Sequence, residues 1–394
     1  MKKYKILYID HGAKLVGGGQ ANTLSLIRCL DKGRFEPQIV SSKENSFTGQ
    51  ARNSGIGVDL VSFPTCLTET YRNNVGLSPL RYISYLVGLL SVVYRLAMYI
   101  THNRIDLIHP CDNISRIAGG VAARLTGIPA VCQITDDLED TVINRMLRSF
   151  IFWGMDYILP VSDKVSEFFL NVPRYRDKVK TIYTGIDLDY FNSNINAMEV
   201  REELGLSRED LVVGIVGLLI PIKGHRELFR ALAKIKETST ASIRCLVVGD
   251  GPDRAELEKL VIELNISNEV LFTGFRKDVA RVIASLDIIA VPSHTEASSR
   301  VVLEAGAFGI PAVGTKVGGI PEMIQDGTTG LLVNFGDIKA LADAIIALFD
   351  TPRRKTMGAS ARLRVQELFC NKNITLQIQT LYLSLLQKKQ SVNI

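Results

Sequence analysis

Short apolar runs alternate along this chain with longer segments of helical period, the pattern of parallel strands joined by crossover helices. In the first half the runs at 6–9, 38–40, 107–109, 130–134 and 157–161 read as strands. The second half repeats the theme at 212–217, 244–249, 270–273, 288–292 and 311–314, with helices predicted over 227–235 and 253–264. A polar, turn-rich stretch, Asn192-Ser193-Asn194-Ile195-Asn196, interrupts the pattern. The reading is two doubly wound α/β domains, 1–190 and 211–365, joined by a linker at 191–210. Residues 366–394 are read as a helix returning toward the first domain. In open α/β sheets ligands bind beyond the carboxyl ends of the strands, so chemistry is expected just after strands, where the two domains face each other.

One segment departs from this alternation. Residues 82–94 carry no charge and are bracketed by Arg81, Arg95 and Arg104. The run is too short to cross roughly 30 Å of hydrocarbon. It reads either as a helix packed under the sheet or as a helix lying in a bilayer interface, with tyrosines and arginines at its edge.

Composition sharpens the picture. With 394 residues, 46% of them hydrophobic and 22% charged, the chain buries a large core, and disorder is excluded. Lysine and arginine number 46 against 41 acids, and 4 of the 5 excess charges lie in residues 1–190 (22 against 18). That balance excludes a nucleic-acid coat, yet is compatible with anionic small molecules or the inner face of an anionic membrane. The six cysteines are scattered, without a CxxC pair or a metal-ligand cluster, which points to a reducing compartment. The basic N-terminus precedes an apolar run that Asp10 and His11 interrupt, too short for a signal peptide, so a cytoplasmic location is expected.

Three constellations carry candidate chemistry. Gly17-Gly18-Gly19 follows the first strand and precedes a helical run at 22–30; it reads as a phosphate loop or a flexible connector. No GxGxxG or GxxxxGK[ST] fingerprint accompanies it, which argues against a dinucleotide dehydrogenase or a P-loop NTPase. Lys223 closes the segment Gly217 to Gly224 between a strand and a helix, a place that favours an anion or leaves a lysine in solvent. Ser298 is placed as the cap of a helix whose first amides belong to Ser299, Arg300 and Val301. Glu296 then lies before that helix and Glu304 upon it, either both facing the domain cleft or serving as ordinary surface and partnered acids.

Together with Gly249-Asp250-Gly251-Pro252, Phe272-Thr273-Gly274-Phe275 and Val317-Gly318-Gly319-Ile320-Pro321-Glu322, these segments resemble glycosyltransferase family 4 across the whole chain. The resemblance implies a GT-B fold, two Rossmann-like domains, and retaining transfer of a hexosyl group from a nucleoside diphosphate sugar to a hydroxyl acceptor. That acceptor is expected to be a surface glycan or a lipid-linked saccharide. The resemblance implies that Lys223 binds the donor diphosphate and that the Ser299, Arg300, Val301 and Val302 amides hold sugar and phosphates. It assigns Glu296 to sugar hydroxyls, Glu304 to ribose, Gly274 and Phe275 to the nucleobase, and Gly17, Gly18 and Gly19 to closing over the diphosphate. No metal or other cofactor is implied.

Two positions depart from the family pattern. Leu218 stands where an arginine usually shares the diphosphate, and Arg300 is the candidate substitute. Thr135 stands where a histidine usually follows the Gly127-Ile128-Pro129 turn, leaving Thr135, Asp136 and His109 as acceptor-side candidates. These departures keep open a non-catalytic sugar-nucleotide-binding subunit, and a sugar-nucleotide epimerase on the same fold is a further alternative.

Overall fold

The computed structural model describes residues 3–12, 18–68, 79–135, 152–191, 195–239 and 241–392. It divides into two compact units. The first comprises residues 1–161, 165–185 and 372–394, and the second 162–164 and 186–371.

In the first unit β1 (Tyr4–Asp10), β2 (Phe35–Ser41), β3 (Gly57–Leu60) and β4 (Leu107–Pro110) form a parallel sheet in the order β3-β2-β1-β4. A parallel bridge from Ile108 to Ala130 continues it toward the pair β5 (Val131–Ile134) and β6 (Tyr157–Pro160). Residues Ile6 to Ile9 are wholly buried, as a continuous apolar run in a sheet covered on both faces requires. Leu24 and Ile27 of helix Gly18–Cys29, with Ile374, Ile378 and Tyr382 of helix Asn371–Val392, pack into that core. Each such side chain contributes about 1.5–3 kcal/mol by leaving water. Strand β3 was not legible beforehand because it lies at the sheet edge with only Val58 half-buried, so it carries no apolar run.

The second unit holds one parallel sheet of six strands: β7 (Leu211–Val216), β8 (Ile243–Val248), β9 (Val270–Gly274), β10 (Ile288–Val291), β11 (Ala312–Thr315) and β12 (Gly330–Val333). Their order is β12-β11-β10-β7-β8-β9. Helix His225–Thr238 lays Leu228, Phe229, Leu232 and Ile235 on this sheet. The stretch expected as a linker, 191–210, contains helix Ala197–Glu203, capped by Asn196, which accepts the Met198 amide at 3.1 Å. From it Arg201 pairs with Asp287 at 2.7 Å, which ties this stretch to the second unit.

The uncharged segment forms helix Pro79–Asn103, 25 residues long. Val92, Val93, Leu96 and Ile100 are buried, but Ile83 (59% exposed), Leu86 (56%), Val87 (59%), Leu90 (58%), Tyr94 (67%) and Met98 (55%) line the opposite side. The expectation of a helix packed under the sheet is therefore corrected over this half, because the helix is apolar on both faces and the unit covers only one. Its 21-residue window Ile83–Asn103 is long and apolar enough to span a membrane by length and composition, with 28% of the window buried.

Candidate active site

In each unit the strand order reverses beside the first strand, between β1 and β4 and between β7 and β10. Such switch points leave a crevice at the carboxyl ends of the two strands, where open α/β sheets bind ligands.

In the second unit the loop after β7 carries Lys223 on a single 3₁₀ turn, Pro221–Lys223, which ends at Gly224 in the left-handed region (φ 75°). Only glycine fits at 224, since a Cβ there would lie 2.0 Å from the Pro292 carbonyl oxygen. The loop after β10 is bound to it: the His294 amide donates to the Ile222 carbonyl at 2.8 Å. The result is direct contact between Lys223 Nζ and Glu296 Oε2 at 2.7 Å, with Ser293 Oγ donating to the same carboxylate oxygen at 3.3 Å. Glu296 is held from below by Gly318 and Gly319, the Gly319 amide donating to the Glu296 carbonyl at 2.8 Å.

The helix after this loop is Arg300–Ala307, with Ser299 rather than Ser298 at the cap position and no side-chain cap bond. Met323 packs against this turn: its sulfur accepts the Ser299 amide at 3.2 Å and faces Ser298 Oγ at 3.9 Å. Of the amides expected to face a donor, Ser299 is thus engaged by Met323, and Val302 donates to the Ser299 carbonyl at 3.1 Å. Arg300 Nε donates to Glu304 Oε1 at 2.7 Å. The substitute cation for Leu218 is therefore already paired along its own helix, while Leu218 is 57% exposed. Burial holds the Glu304 carboxyl above its ordinary range, the nearby Arg300 opposing the shift. Gly274 ends β9 at φ 69°, and the Phe275 ring beside it is exposed.

In the first unit Thr135 follows β5, and its Oγ1 lies 3.3 Å from where a Cβ at Gly19 would stand. Gly18 and Gly19 open helix Gly18–Cys29; Gly17 and Asp136 lie outside the described residues. His109 is buried within β4, its Nδ1 2.5 Å from the Tyr382 hydroxyl, which in turn is 3.2 Å from that of Tyr8. Burial lowers its pKa to about 3, with Arg116 adding to the effect, so it is a neutral core imidazole.

Sequence reasoning did not find a second cluster at this switch point. Asp10 ends β1, His11 follows it, and Asp112 follows β4; a side-chain nitrogen or oxygen of each lies within 4.8 Å of those of the other two. The signal available was the Asp-His pair directly after the first strand, but its partner is 101 residues away. The carboxylate oxygens hold the backbone. Asp10 accepts Gln20 Nε2 at 2.8 Å and the Gly12 amide at 2.9 Å, and Asp112 accepts the Ser115 amide at 3.0 Å and the His11 amide at 2.9 Å.

Two Rossmann-like units of this construction define the GT-B class of fold. The family model described as Glycosyl transferases group 1 matches residues 197–364, and that described as Glycosyltransferase Family 4 matches residues 16–190. The chain is thus a GT-B-fold glycosyltransferase related to these two groups, each of which matches one half of it. Among curated proteins it is similar to an N-acetyl-alpha-D-glucosaminyl L-malate synthase of Bacillus anthracis, 32% identical over 63% of this chain and 65% of that one. It is also similar to a D-inositol 3-phosphate glycosyltransferase of Mycobacterium marinum, 34% identical over 47% of this chain and 39% of that one. The matched stretch thus spans between about two-fifths and two-thirds of these relatives' lengths. Anabaena HepE, solved in complex with UDP-glucose, has the same fold: its TM-score is 0.80 at 24% identity, covering 96% of this chain and 99% of that one.

Proposed function

We propose that this protein transfers a hexosyl group, with retention, from a nucleoside diphosphate sugar to a hydroxyl of a glycan or lipid-linked acceptor. The observation that carries the reading is the contact between Lys223 and Glu296 at the switch point of the second unit. When a donor arrives, its diphosphate draws the Lys223 ammonium from the carboxylate, and Glu296 turns to the sugar hydroxyls. As the bond from the anomeric carbon to phosphate breaks, charge accumulates on the leaving diphosphate. A positioned ammonium and the amide end of helix Arg300–Ala307 stabilise it there. Glu304 takes the ribose hydroxyls, and Gly274 and Phe275 the base. HepE, solved with UDP-glucose, makes UDP-hexoses the first donors to test. Lys223→Ala and Glu296→Ala are each expected to lower transfer by about a hundredfold or more, the loss seen for a preorganised transition-state contact. Near-normal turnover in either variant removes the assignment.

The pairing of Arg300 with Glu304 favours one second reading, a sugar-nucleotide-binding subunit that lacks the second phosphate cation. Such a subunit binds UDP-sugar and releases no UDP over a range of acceptors, which a coupled assay of UDP release decides.

We also propose that the first unit rests on the anionic inner face of a membrane through helix Pro79–Asn103. Its exposed apolar stripe carries no acid along 25 residues, while Arg95 flanks it. The six cysteines are free, in keeping with a reducing compartment. Flotation with vesicles containing phosphatidylglycerol tests the face. Wild type is expected to float and a Leu86→Glu, Leu90→Glu variant to sediment; wild type remaining at the bottom excludes the contact.

A further inference from the structure

Arg254 opens helix Arg254–Glu263, directly after the loop that ends β8, and its guanidinium is fixed from two sides. Nε donates to Glu258 Oε1, one turn further on, at 2.8 Å, and the guanidinium carbon stands 5.7 Å over the Phe272 ring of β9. Phe272 is itself held edge-on against Phe229 of helix His225–Thr238, with ring centroids 6.0 Å apart. The loops at the carboxyl ends of β7, β8 and β9 are joined to one another beside it. The Gly249 amide donates to the Gly274 carbonyl at 2.9 Å, and the Leu219 amide to the Asp250 carbonyl at 3.1 Å. From this frame Arg254 reaches the end of β9, where Nη1 lies 3.5 Å from the place a Cβ at Gly274 would occupy. The side chain is 35% exposed, and Nη1 and Nη2 have no hydrogen-bond partner among the described residues. Phe275, the next residue after Gly274, leaves 69% of its surface exposed.

A guanidinium in this state is a planar fork of N–H donors that offers no acceptor. The base edge it suits is one that presents acceptors: O4 of uracil, or O6 and N7 of guanine. Cytosine and adenine place an exocyclic amine at the corresponding position, so a donor would meet a donor. We infer that Arg254 reads the base of the sugar nucleotide and selects a keto base, uracil or guanine, over an amino base. The inference rests on the proposed placing of the base at Gly274 and Phe275, and adds to it the side chain that chooses among bases. Each neighbour has a part in this. Gly274 has no side chain to stand in the approach to Nη1, and the exposed Phe275 ring offers a face on which any base stacks without discrimination. Glu258 and Phe272 hold the fork still, so that its direction is set before the nucleotide arrives.

Matched pairs of nucleotides separate this role from a structural one. UDP and CDP carry a carbonyl and an amine at the same ring position, and GDP and ADP differ likewise. Calorimetric titration of all four against wild type and Arg254→Ala reads the selection. Alanine favours the helix that Arg254 opens, so the variant is expected to fold, which thermal unfolding checks. For wild type, UDP or GDP is expected to bind about ten- to a hundredfold more tightly than its amino counterpart, and the pair that shows the preference identifies the base. In Arg254→Ala the preferred diphosphate is expected to weaken to the level of its counterpart, whose own affinity is unchanged. Three results overturn the inference while leaving the donor reading intact: a wild type that binds nucleotide without preferring a keto base, a preference that survives in Arg254→Ala, or an equal weakening of all four, as for a phosphate contact. A wild type that binds none of the four overturns the donor reading, and the inference with it.

Discussion

Lys223 and Glu296 hold each other at 2.7 Å across the point where β7 and β10 part, each standing where a donor's charge and hydroxyls are expected. An ion pair in this place keeps a partly buried ammonium neutralised, and on the proposed reading a donor's diphosphate competes for it. The same topology recurs in the first unit, where His11 after β1 meets Asp112 after β4. In both units a cationic or basic side chain follows the first strand and an acid follows the strand on its far side.

The competition within the pair gives an asymmetric expectation. Glu296→Gln leaves the ammonium without its carboxylate, so UDP binds more tightly although transfer falls. Lys223→Ala removes a charge-assisted bond of about 1.5–3 kcal/mol, so UDP binds about ten- to a hundredfold more weakly. Calorimetric titration with UDP reads both signs, and a matching decrease in the two variants contradicts the exchange.

Gly318 supports Glu296 from below. It adopts φ 52°, and a Cβ there would lie 1.9 Å from the Glu296 carbonyl oxygen. Gly318→Ala is expected to displace the Glu296 loop and destabilise the protein by about 1–3 kcal/mol, with transfer reduced at least as far as in Glu296→Ala. Gly327, at φ 75° with nothing near its Cβ position, is the control: Gly327→Ala carries backbone strain alone and leaves transfer unchanged. Thermal unfolding and initial rates measured side by side decide between them.

In the first unit the Tyr382 hydroxyl lies between His109 and Tyr8. Tyr382→Phe strands two buried polar groups, and is expected to cost about 1–3 kcal/mol in urea unfolding. UDP affinity is expected to stay at the wild-type value, since Tyr382 belongs to the other unit.

His225 is buried with neither ring nitrogen hydrogen-bonded, and burial, aided by Lys223, lowers its pKa to about 4. The unfolded chain therefore binds protons that the folded chain refuses. The stability contributed by neutral His225 is fully present above the unfolded value of about 6.5 and is lost as pH falls toward 4, by up to about 1.4 kcal/mol per pH unit. His109 adds a loss of the same sign that extends to lower pH. The difference in urea stability between wild type and His225→Leu isolates the first contribution, and it is expected to move steadily against wild type as pH falls from about 6.5 to 4.5. A difference that does not change with pH contradicts a neutral buried His225.

Much of this was legible in the chain itself. Apolar runs of three to six residues located ten of the twelve described strands, because strands buried on both faces have no polar alternation to hide them. The two that escaped, β3 and β12, lie at sheet edges, where burial on one side suffices. Lys223 and Glu296 were legible as candidates because each follows a strand. Their contact was not, since 73 residues separate them and only the strand order brings β7 beside β10.

Local pattern, then, determined the elements, the two-unit α/β architecture and the residues able to carry charge near strand ends, since these depend on neighbours within a few positions. Tertiary structure alone decided the pairings: Met323 taking the Ser299 amide, Arg300 already held by Glu304, His109 sealed in the core, and His11 facing Asp112. It also decided that one side of helix Pro79–Asn103 stays uncovered. Periodicity shows that a helix is apolar, but what covers each of its faces is set by the packing of distant segments.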